Sequence, residues 1–116
     1  MSESRLRVNR LQLATILGCL PEERTAPRPV LVDLAVKTDI ARAAATDDIA
    51  DALDLRRLHD IATAAARTNP RLIETLATTI ATRILALPGV QSVTVHVEKP
   101  ASLPHTQSTS IELTLP

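Results

Sequence analysis

The sequence predicts an α+β fold: a four-stranded antiparallel sheet with two helices on one face, in the order ββααββ. Three patterns carry that expectation. Val30, Val32, Leu34 and Val36 alternate with Leu31, Asp33, Ala35 and Lys37, the two-residue period of a strand with one buried face. Leu72, Leu76, Ile80 and Ile84 recur at i, i+4 beside Ile73, Ala77 and Ala81, the stripe of an amphipathic helix. Val93, Val95 and Val97 repeat the strand period, and Thr109, Ile111, Leu113 and Leu115 do so again after a loop marked by Pro100 and Pro104. Two strand pairs with helices between them make a sheet covered on one side. A ferredoxin-like order interleaves its strands and helices differently.

In the first strand the apolar parity changes between Leu6, Val8 and Leu11, Leu13, which places a bulge near Asn9-Arg10. Gly18, Pro21, Pro27 and Pro29 mark a loop before the second strand. Residues 39–53, rich in Ala and Asp, read as a short helical turn and a loop. Asp54 caps a helix to about Arg67, with Leu58, Ile61, Ala62 and Ala65 on one face. Asn69-Pro70 reads as a cap followed by proline in the first turn of the next helix, which Pro88-Gly89 ends. The third strand then runs from about Gln91 to Lys99.

At 116 residues the chain is read as one domain, 1–116, with a modest core. It has 13 basic and 13 acidic residues, a balance that offers no footprint for nucleic acid or a membrane surface. The charged N-terminus and the lack of a long apolar run lead to the expectation of a soluble, cytoplasmic protein. Cys19, the only cysteine, excludes an intrachain disulfide and reads as a small apolar filler. His59, His96 and His105 lack metal-ligand spacing, so no metal and no cofactor are expected. The chain contains no Phe, Trp or Tyr. Aromatics contribute the largest buried area per residue. A core without them, under a sheet with two open edges, points to assembly of several copies into a closed barrel.

Two residues look out of place. Lys99 ends the third strand on the same parity as Val93, Val95 and Val97, so its ammonium sits at the end of an apolar face. Partial desolvation lowers an ammonium pKa, which suits a lysine to proton transfer; the plainer alternative is a side chain that snorkels into water. Glu74, two residues past Leu72, lies about 200° round the helix from it and faces away from the apolar stripe. Its plain alternative is a solvated carboxylate at a helix start.

Five segments in register resemble the dihydroneopterin aldolase family of folate biosynthesis. Gly18-Cys19-Leu20-Pro21-Glu22-Glu23-Arg24 is similar to the family's loop of glycine, four variable residues and glutamate. Val30–Leu34 resembles the strand that follows, and Thr46–Leu55 the stretch of paired aspartates leading to the family's tyrosine. Leu72–Ala77 resembles its helix start, and Val97–Pro100 its lysine-proline. The resemblance implies the tunnelling fold, a homo-oligomer (tetramer or octamer) with sites between subunits, and retro-aldol cleavage of 7,8-dihydroneopterin without metal or Schiff base. It implies that Glu74 holds the pterin's amino group and ring N–H, that Lys99 transfers protons near ring N5, and that Glu23 supports Lys99. It further implies that Leu20, Leu53, Leu55, Leu72 and Ile73 contact the substrate. For Glu23 the plain alternative is a loop charge paired with Arg24.

Leu55 stands where the family has its tyrosine, and Arg28 where it commonly has glutamine. Leucine can cover a ring but cannot carry a proton. Three outcomes follow: an aldolase of reduced rate with water, His59 or His105 as relay, an epimerase or oxygenase, or a pterin-binding protein without turnover.

Overall fold

The computed structural model describes residues 2–116 of the chain. Strands β1 (Arg5–Thr15), β2 (Arg28–Thr38), β3 (Val90–Pro100) and β4 (Ser108–Leu115) form one antiparallel sheet in the order β1-β2-β3-β4. Between the pairs lie α1 (Ala41–Thr46), α2 (Leu55–Ala66) and α3 (Ile73–Leu85). One-turn 3-10 helices occupy Pro21–Arg24 and Ile49–Asp51. The α+β fold read from the sequence is therefore the fold of the protein.

One face of the sheet is apolar because the strand alternation is nearly unbroken. Val30, Val32, Leu34, Val36, Val93, Val95 and Val97 are buried, and so are Leu58, Leu76, Ile80 and Ile84 on the helices above them. Helix α3 lies over β3 and β4, and α2 over β1. Burial of a Val, Leu or Ile contributes roughly 1.5–3 kcal/mol each, so this layer is the main source of stability. The bulge in β1 falls where the parity change put it, between Val8 and Leu11. Arg10 adopts the left-handed conformation there, φ 54°. Its N–H donates to Asp33 Oδ1 at 2.8 Å, and its guanidinium reaches Glu98 Oε1 at 2.8 Å. The bend is thus tied to β2 and β3 on the polar face.

Asp54 caps α2 as expected, accepting from the Arg56 N–H. The start of α3 differs from expectation. Its N-cap is Leu72, and Asn69 is left-handed with φ 53°. Asn69 does not cap the helix because its Oδ1 accepts the N–H of Ile16 at 3.1 Å, and the Gly18 N–H is bonded to Arg71 O at 2.9 Å. Residues 69–71 are held by the loop after β1 instead of being wound into the helix. Among the described residues no helix is long and apolar enough to cross a membrane.

Candidate functional site

The loop after β1, the end of β3 and the start of α3 meet at one end of the sheet. Leu17 is buried and anchors the loop in the core. Gly18 follows with φ +119°, a conformation side-chain-bearing residues rarely adopt. A Cβ at Gly18 would lie 2.5 Å from Glu23 Cδ and 2.7 Å from its Oε2, so only glycine lets the loop close over that carboxylate. The 3-10 turn Pro21–Arg24 then aims Glu23 inward.

Glu23 Oε2 accepts from Lys99 Nζ at 2.9 Å, and Glu23 Oε1 accepts the Leu20 N–H at 3.1 Å. The two side chains are 28% and 21% exposed, so the pair is half-dry. The Lys99 ammonium, first, and the Leu20 N–H, next, hold the Glu23 carboxyl below the usual glutamate value. The alternative pairing of Glu23 with Arg24 is excluded, because Arg24 donates only to main-chain carbonyls.

Glu74 stands in the first turn of α3, exposed and without an ion pair or hydrogen bond of its side chain among the described residues. A carboxylate in that turn is favoured by the helix dipole. Leu17, Gly18, Cys19, Glu23, Arg71, Leu72, Ile73, Glu74, Lys99 and Thr109 line a single cleft of about 250 Å³. An unpaired carboxylate and an ammonium tethered to a second carboxylate therefore face one cavity, with Leu72 and Ile73 as its apolar wall. The free carboxylate can accept two parallel N–H donors, and the tethered amine can stabilise developing negative charge or pass a proton.

Leu53 and Leu55 lie elsewhere. They line a larger, mainly apolar cleft of about 480 Å³ with Leu6, Thr38, Ile40 and Ile49. Thr38 pairs with Val90 at the far end of β3 from Lys99. Nine strand steps separate Val90 from Lys99, roughly 30 Å at about 3.3 Å per residue. One copy of the chain does not join the two clefts. Leu20 lines neither cleft; its part here is the N–H given to Glu23.

Cys19 is exposed at the rim of the smaller cleft, so the expectation of an apolar filler is wrong. The turn at Gly18 reverses the chain and leaves its side chain outside the core. His59 is on the outer face of α2 beside Asp60, His105 is in the β3–β4 loop, and neither lines the cleft of Glu74 and Lys99. Arg28 lines a neighbouring cleft with Glu22 that shares Glu23 and Lys99. Among the described residues no group of three or more His, Cys, Asp or Glu could hold a metal ion. Sequence reasoning gave Asn69 a helix cap and Arg24 a pairing with Glu23; their actual partners are not adjacent in sequence, and no local pattern identifies them.

The profile of the dihydroneopterin aldolase family matches residues 6–114. A dihydroneopterin aldolase of Methylorubrum extorquens is 36% identical over 101 residues, covering 84% of this chain and 77% of the relative. A dihydroneopterin triphosphate 2'-epimerase of Pseudomonas aeruginosa is 31% identical over 111 residues, 95% of this chain and 90% of the relative. The crystal structure of E. coli dihydroneopterin aldolase in complex with neopterin superimposes with a TM-score of 0.92 at 20% identity, covering 97% of this chain and 99% of that one, a likeness of fold.

Proposed function

This chain belongs to the dihydroneopterin aldolase family, and from that premise we propose that it is a lyase that splits 7,8-dihydroneopterin into 6-hydroxymethyl-7,8-dihydropterin and glycolaldehyde. The observation that carries this reading is the convergence of Glu74 and Lys99 on one cleft, with Lys99 fixed by Glu23 at 2.9 Å. The pterin's 2-amino group and N3–H are parallel donors that match an ionised, unpaired carboxylate such as Glu74. Bound there, the ring turns N5 toward Lys99.

Cleavage passes the proton of the 2'-hydroxyl to water, and that oxygen becomes the carbonyl of glycolaldehyde. The bond between C1' and C2' breaks, and its electron pair moves into the ring imine. A proton from the Lys99 ammonium at N5 stabilises the resulting enamine. Water then protonates C1' as N5 returns its proton to Lys99, which restores the ring imine and yields the hydroxymethyl product. The cleft lined by Leu53 and Leu55 completes the site from a second copy of the chain, covering the ring's other face. The open strand edges support such an assembly.

Glycolaldehyde release from dihydroneopterin tests the reading; bound pterin with no product rejects it. Glu74→Ala removes two charge-assisted hydrogen bonds, so neopterin affinity falls by about 100-fold or more. A second reading rests on the epimerase relative, which aligns over 95% of this chain. The same bond can break and re-form with the aldehyde turned over. Leu55 favours that fate, because without a tyrosine the enamine waits longer for its proton at C1'. Chromatography of the recovered pterin separates epimer from cleavage product.

A further inference from the structure

The 3-10 turn Pro21–Arg24 carries two consecutive charged residues whose partners differ. Adjacent residues of such a turn point about 120° apart. Glu23 meets Lys99 on β3, while Arg24 turns toward the approach to α3. Arg24 Nη2 donates to Asn69 O at 3.0 Å. Its Nη1 faces Ile16 O at 3.1 Å, and Gly18 O and Pro70 O at 3.4 Å each. No ion pair among the described residues involves Arg24. A half-buried guanidinium with no carboxylate is therefore held by four carbonyls. Two belong to the loop that carries Glu23, and two to the segment that leads to Glu74.

We infer that Arg24 is a positioning residue that sets the separation between the Glu23–Lys99 pair and Glu74. The inference rests on the pterin chemistry proposed for that cleft and adds a residue to it. A ring anchored at Glu74 meets Lys99 only if both walls keep their spacing. Two backbone-level contacts cross the same seam, Gly18 N–H to Arg71 O and Ile16 N–H to the Asn69 side chain. Arg24 is the side chain that reaches two carbonyls on each side at once. Recognition by Glu74 needs one wall, whereas proton transfer needs both. Loss of Arg24 therefore lowers turnover more than it lowers affinity.

The test compares wild type, Arg24→Ala and Arg24→Lys for neopterin affinity and for turnover of saturating dihydroneopterin. In Arg24→Ala, kcat falls about 10- to 100-fold, the scale of a displacement near 1 Å, while the neopterin Kd rises much less. Arg24→Lys, which keeps a cation but not the fork, lies between. Millimolar guanidinium restores part of the lost kcat in the alanine variant and leaves wild type unchanged. An unchanged kcat, or equal losses in kcat and affinity, overturns the inference. If the alanine variant does not fold, the lysine variant carries the same comparison. A wild type that binds neopterin but releases no glycolaldehyde overturns the lyase reading instead. Hydrogen exchange of the Gly18 amide then still reads the clamp: faster exchange in the Arg24 variant supports it, and unchanged exchange overturns it.

Discussion

Glu23 and Lys99, 76 residues apart in sequence, meet at 2.9 Å. Neither is at the surface by accident: each is held by an element the sequence specifies, a 3-10 turn behind a left-handed glycine and the last paired stretch of a central strand. The pair puts a cation in the lining of a cleft of about 250 Å³ that an unpartnered acid, Glu74, also lines.

Replacing Lys99 with Met keeps the apolar stem and removes the ammonium. Positioned acid–base groups contribute typically 10²–10⁴-fold, so kcat for glycolaldehyde release falls by about that range. Circular dichroism should show an intact fold, because the stem still packs at the end of the β3 face.

The Glu23 carboxyl titrates below the 4.5 of an unperturbed glutamate, first because Lys99 donates to it. Between the two values the unfolded chain binds the extra proton, so stability rises with pH there. The contribution is fully present above about pH 4.5 and is lost as pH falls through the depressed value. Urea denaturation at stepped pH should show this acid-side loss in wild type. In Lys99→Met it should shrink.

Gly18→Ala combines a left-handed backbone with a collision against Glu23. Strain of that kind costs about 1–3 kcal/mol, read as a lower denaturation midpoint. The carboxylate must also move off Lys99, so turnover falls beyond what the stability loss explains.

Leu55 is 43% exposed at the end of the apolar cleft. Leu55→Tyr puts a hydroxyl at the position where the sequence resemblance puts the family's tyrosine. Rapid sampling of products should show more cleavage and less epimer than wild type. An unchanged product ratio means that Leu55 does not govern the fate of the enamine.

Much of this was legible from pattern alone. The parity change at Asn9-Arg10 marks the bulge because paired strand side chains alternate faces, so a break in parity needs an extra residue. The Leu76, Ile80, Ile84 stripe marks α3, and the parity of Lys99 places it at the end of the buried face. What fails is local reading of residues whose partners are distant. Asn69-Pro70 looks like a helix start, yet the Ile16 N–H claims the asparagine side chain and α3 begins at Ile73. Cys19 looks like a filler beside Gly18, but the turn that glycine allows leaves it exposed. The placement of Leu53 and Leu55 some nine strand steps from Lys99 depends on how α1 and the Ile49–Asp51 turn fold over the sheet, and nothing in their own sequence reports it.

The distance between the two clefts makes mixing informative. A copy crippled at Lys99 still owns a sound Leu55 end, and a copy crippled at Leu55 still owns a sound Lys99 end. With the two-copy site proposed above, co-assembly of such a pair would regenerate some intact junctions from two defective parents. Under that same proposal, dilution would make catalysis depend on an encounter, and the rate would climb faster than in proportion to protein added.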